Sequence, residues 1–182
     1  IKHDIKFLPS IITKESINII TKINNFEGEK FNIINDRSIT NQSKSDIKNK
    51  EHPYKILNFM KGIDKKYFYS GKITKGYVES KIIMSFNKSP TILNAWYSEG
   101  NIGTTDLNMV MLTDKQYLVE ILNSKLIKFI LINTQYASAP NEKNDFKILN
   151  LITYPDKPLK TDEEIYEYYG INKTEQKLIE EI

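Results

Sequence analysis

The sequence predicts an α+β fold: a small, mainly antiparallel sheet packed with one long helix, plus an N-terminal helix and a C-terminal helical pair. Three observations carry this prediction. After Pro53 the chain turns alternating and rich in β-branched and aromatic residues. "TDKQYLVEILNSKLIKFILINTQY" then places Leu118, Ile121, Leu122, Leu126, Phe129 and Ile130 at helical spacing. The end of the chain carries two short segments with helix-capping signatures.

Taken in order, "FLPSIITKESINIITKI" reads as a short extended stretch and then a helix from about Thr13 to Ile23, capped by Thr13 or Ser16, with Ile17, Ile20 and Ile23 on one face. The pattern then decays into polar residues, and roughly Asn41 to Lys50 reads as a mobile connection. Strands are predicted in "KKYFYSGK", "YVESKIIMSF", "TILNAWYS" and "NMVMLT", separated by "GKITKG", "NKSP" and "EGNIGTTD". The long helix follows, capped by Thr113 or Asp114. The apolar "FKILNLITYP" ends at prolines. "TDEEIYEYYG" is a helix with Thr161 as cap and Gly170 as stop, and "NKTEQKLIEEI" is one with capping-box spacing at Asn172 and Glu175. The chain divides into residues 1–50, an N-terminal helix and polar connection, 51–160, the sheet and long helix, and 161–182, the helical pair.

The 182 residues, 40% of them hydrophobic, suffice for one real core. With no cysteine, disulfide scaffolds, thiolate zinc sites and cysteine nucleophiles are excluded, and an intracellular, cytoplasmic location is favoured. The first residue is Ile with no basic-then-apolar leader, which predicts no signal peptide and a chain cut from a longer protein. No membrane span is expected, since the longest apolar run, "LIKFILI", is short and broken by Lys128. Charge is uneven. Lys55 to Thr91 holds eight lysines against Asp64 and Glu79, whereas Asn141 to Ile182 holds six lysines against ten acids. A polyanion would meet the middle of the chain. Lysine-rich usage with Arg37 as the single arginine also fits an AT-biased genome.

Several chemistries lack their residues. The glycines form no phosphate-cradling turn between strand and helix, because "GNIG" leads into the strand-like "TTDLNMVM". His3 and His52 have no second metal ligand at a useful spacing. No nucleophile elbow accompanies a serine. Pro155-Asp156 followed by Glu175-Gln176-Lys177 echoes magnesium nucleases loosely, while Asp156 equally suits a proline turn and Glu175 a capped helix. What remains is a basic, aromatic sheet, with Lys65, Lys66, Lys72, Lys75, Lys81 and Lys88 around Tyr67, Tyr69 and Tyr77, and Asn87, Asn101, Thr104, Thr105 and Asn108 at loop tips. Lysines suit phosphates, and amide and hydroxyl side chains suit base edges. A solvated strand face would show the same alternation.

"LPSIITKESINIITKI", "SKIIMSFNKSPTILNAWYSEGNIGTTDLNMVML", "YLVEILNSKLIKFI" and "TDEEIYEYYGINKTEQKLIEEI", taken in this order, resemble the C-terminal target-recognition (TaqI-like specificity) domain of restriction-modification adenine-N6 DNA methyltransferases. "LNSKL" at Leu122 to Leu126 is the most recognisable piece, and the likeness spans almost the whole chain. It implies a non-catalytic reader of double-stranded DNA, partnered by a catalytic methyltransferase domain of the same polypeptide. That missing domain would bind S-adenosylmethionine and hold the flipped adenine. Its Asn/Asp-Pro-Pro-Tyr/Phe motif does not occur here: "EHPYK" has one proline and no acid or amide directly before it. On this reading Gly100 and Gly103 shape a turn exposing Asn101, Thr104 and Thr105 to DNA, while "LNSKL" is structural, with Lys125 solvated, and Tyr166, Tyr168 and Tyr169 pack the terminal helices. Phosphate contacts are expected from Lys66, Lys72, Lys75 and Lys88, and base contacts from Tyr69, Asn87, Asn101 and Thr105. A magnesium-dependent nuclease using Asp156 and Glu175, and a protein-interaction domain using the tyrosines and acidic tail, stand as alternatives.

Overall fold

The computed structural model describes residues 11–35, 44–61, 64–85, 93–134 and 148–181. The fold is α+β, and the chain forms two compact units. The helical unit takes residues 1–32, 88–91 and 120–182; the sheet unit takes 33–87 and 92–119. The units interleave along the chain, a division that sequence order does not display.

In the helical unit, α1 spans Lys14–Asn24. Thr13 caps it by a reciprocal box with Ser16: the Ser16 amide donates to the Thr13 hydroxyl at 3.0 Å and the Thr13 amide to the Ser16 hydroxyl at 2.9 Å. Ile19, Ile20 and Ile23 are buried, whereas Ile17 is half-buried. The helix expected to run unbroken past Asn123 is two helices, α2 at Leu118–Leu122 and α3 at Lys125–Asn133. Ser124 causes the break. Its hydroxyl accepts from the Ile127 amide at 3.3 Å and caps α3, competing with the helical bond that a continuous rod would need. Leu122 and Leu126 are buried on either side.

The helical pair forms as the capping signatures predict, α4 at Asp162–Tyr168 and α5 at Lys173–Glu180, with capping boxes at Thr161/Glu164 and Asn172/Glu175. Gly170 between them has φ +68, the left-handed stop. Tyr166 and Tyr169 are buried, and Phe26, Tyr168 and Tyr169 meet with ring centroids 4.8–5.2 Å apart.

The sheet unit holds two sheets in place of the single one expected. Strands β1 (Lys44–Ser45), β2 (Tyr54–Lys61), β3 (Asp64–Ser70) and β6 (Gly103–Thr104) run in the order β1-β3-β2-β6. Strands β4 (Lys81–Ser85), β5 (Trp96–Ser98) and β7 (Asn108–Leu112) run β5-β4-β7. Every pairing is antiparallel except β2 with β6. Two corrections follow. Lys44 and Ser45, assigned from sequence to a mobile connection, pair with Ser70 and Tyr69. "YKILNFMK" at Tyr54–Lys61 is a strand and its sheet's centre, because Ile56, Leu57 and Met60 bury both of its faces and blur the alternation.

Leu57, Met60 and Ile83 join the two sheets in one cluster, on which Tyr67, Trp96 and Ile102 pack. Among the described residues no helix is long and apolar enough to cross a membrane.

Candidate nucleic-acid interface

Period-two alternation places Lys55 and Leu57 of β2 on the same sheet face as Tyr69 and Tyr67, their register partners on β3. The Lys55 ammonium lies over the Tyr67 ring, 4.1 Å from its centroid. The register shifts between Leu57 and Phe59, so that Met60 comes opposite Lys65, and the Lys65 ammonium lies 3.7 Å over the Trp96 ring of the second sheet. On the other face Ile56 and Phe68 form a small cluster with Tyr54, and Lys44 lies 4.8 Å over Phe68. The ion pairs of the described residues, Lys22–Glu175 and Lys125–Glu180, involve none of these three lysines. Partial burial holds the Lys65 pKa below its ordinary value. The sheet unit carries twelve Lys/Arg against eight Asp/Glu, a net charge of +4, while the helical unit carries fourteen against fifteen, a net charge of −1.

"GNIGTTD" lies against the shifted stretch of β2: the Leu57 carbonyl bonds to it within the β2–β6 ladder, and the Asn58 carbonyl, at the shift itself, meets a side chain of the segment. Thr105 donates its hydroxyl to the Asn58 oxygen at 2.6 Å and its amide to the Leu57 oxygen at 3.1 Å. The Asn108 amide group donates to the same two oxygens at 2.9 and 3.2 Å. Buried carbonyls need such partners. Thr104, Thr105 and Asn108 are therefore buried, and the expectation that they stand at exposed loop tips is corrected. Gly100, at φ +119, lies so close to the Val78 carbonyl that a Cβ would collide with it, and Asn101, at φ 57, is exposed.

The loop from Gly71 to Ser80 rests on Lys81, which sequence placed in the basic surface and which is 1% exposed. Its ammonium donates to the Gly76 oxygen and, at 3.1 Å, to the Tyr77 oxygen. Burial pushes its pKa down to about 8, opposed by the charge of Glu79. Lys81 thereby holds the base of the loop that presents Lys72 and Lys75.

Of the residues assigned to phosphate, Lys66, Lys72 and Lys75 are exposed, whereas Lys88 lies outside the described residues. Of those assigned to bases, Asn101 is exposed, Tyr69 is half-buried beside Lys55, Thr105 is buried, and Asn87 lies outside the described residues. Lys55 and Trp96 escape the sequence reading, the first because it sits on the strand that the pattern does not resolve. The Lys65–Tyr67 spacing, two residues on one strand, is the readable signal of a lysine-aromatic face.

In the helical unit Glu175 is buried, and its Oε2 accepts from Lys22 at 2.6 Å and from the Asn172 amide at 2.7 Å. Asp156 is exposed, and no group of three His, Asp or Glu able to hold a metal occurs among the described residues. Lys125, expected to be solvated, is exposed but paired with Glu180.

The geometry defines an α+β protein with a basic, aromatic two-sheet unit. No protein-family model, curated protein or solved structure matches the chain.

Proposed function

We propose that this chain is a binding module for double-stranded DNA, the sequence reader of a cytoplasmic adenine-N6 DNA methyltransferase whose catalytic, S-adenosylmethionine-binding domain lies elsewhere in the same polypeptide. The observation that carries the DNA reading is the exposed lysine set Lys66, Lys72 and Lys75 on one unit of net charge +4. Exposed ammonium groups on a rigid sheet and a pinned loop neutralise phosphates, and the polar tip at Asn101 can reach a base edge. The methyltransferase part of the proposal rests on the sequence resemblance alone.

Fluorescence anisotropy of a randomised duplex pool, titrated at low and near-physiological salt, tests the reading against a Lys66/Lys72/Lys75→Glu variant. Binding should weaken steeply with salt, and the variant should flatten the slope of log K against log salt by about 0.9 for each phosphate it no longer neutralises. Equal binding by both proteins, or none at low salt, refutes it.

A further inference from the structure

We propose that the face formed by Lys55, Tyr67, Lys65 and Trp96 is a stacking site for unpaired nucleotides, so that the module holds single-stranded nucleic acid there as well as duplex. This rests on the nucleic-acid reading above and names the strand form that one face accepts. Both rings pack on the Leu57, Met60 and Ile83 cluster, which fixes them, and each carries a lysine ammonium over it. Neither lysine makes an ion pair among the described residues, so each cation is held by a ring and not by a carboxylate. The indole N–H of Trp96 is shielded from solvent and meets no acceptor among the described residues.

A single strand matches the two rings and their lysines together. A base stacked on an aromatic ring outweighs an exposed cation–ring contact, and the displaced lysine moves to the adjoining phosphate. A fully paired duplex keeps its base faces within the stack, where these rings cannot reach them. Charge complementarity selects a polyanion, and the fixed rings select one with exposed π-faces.

Trp96 is the sole tryptophan, so its emission reports on the site without any substitution. The whole chain is titrated with fluorescein-labelled oligothymidine and with the labelled duplex, reading anisotropy. Parallel titrations with the unlabelled strands and with inorganic tripolyphosphate follow Trp96 fluorescence. Oligothymidine should bind and quench Trp96 saturably, tripolyphosphate should not reproduce the quench, and Lys65→Gln should weaken oligothymidine binding about tenfold. Lys65 is exposed, and a urea melt establishes that this variant stays folded. Duplex binding without oligothymidine binding, oligothymidine binding with unchanged Trp96 emission, or equal quenching by tripolyphosphate overturns the stacking site and leaves the duplex reading intact. Binding of neither strand form at low salt overturns both.

Discussion

Lys81→Met should remove a pH dependence of stability whose sign and size follow from the burial of one ammonium group. Met keeps the stem's volume in the slot between β5 and β7, where Lys81 stands opposite Ser98 and Leu112. In the folded protein the Lys81 pKa is about 8, against 10.5 ordinarily. The unfolded chain therefore holds more protons between those values, and this group makes stability rise as pH rises through that window. The fall from 10.5 to about 8 corresponds to about 3 kcal/mol in full, of which about 2–3 kcal/mol is reached between pH 7 and pH 10. Urea unfolding of parent and variant across that range measures it. Subtracting the two cancels the other lysines and the tyrosines, including Tyr67, whose raised pKa acts in the opposite sense. The parent should gain about 2–3 kcal/mol on the variant from pH 7 to pH 10. A constant difference would show that the Lys81 ammonium is as well hydrated folded as unfolded, and the account of the loop's support would fail.

Gly100→Ala should destabilise by about 2 kcal/mol or more, measured as a lowered urea midpoint, because both the φ of +119 and the Val78 carbonyl oppose a Cβ; an unchanged midpoint would contradict this turn. Thr105→Val should cost about 1 kcal/mol, since Asn108 still serves the Asn58 carbonyl, while leaving duplex affinity unchanged. Weakened affinity at parental stability would return Thr105 to the DNA surface.

Much of the fold was legible because its signals are local. Thr13, Thr161 and Asn172 act as caps within four residues of their partners, and Gly170 stops its helix by its own backbone angle. The unread parts depend on distant residues. Nothing near Thr105 announces that its hydroxyl will meet Asn58, 47 residues away in sequence. Lys81 alternates like a surface lysine, yet its strand runs between β5 and β7, where it stands opposite Ser98 and Leu112 and is buried. β2 is hard to read for the same reason: a central strand buried on two faces loses the period that marks a half-exposed one. The basic character of the middle was visible from composition, whereas the placement of Lys65 on Trp96 required the second sheet.

The interleaving of the two units makes the sheet unit an insertion. Both ends of residues 33–119 return to the helical unit, and only 88–91 interrupt the block. Exchanging this block between proteins as a single cassette takes two junctions and carries the short 88–91 piece of the helical unit with it. The second junction has a preferred position. A splice after Val119 cuts α2 in its first turn, whereas one at Asn123 carries α2 whole and stops where Ser124 starts the next helix. On the nucleic-acid reading proposed above, moving residues 33–123 would carry the preference along, while the acidic C-terminal helices remain with their host.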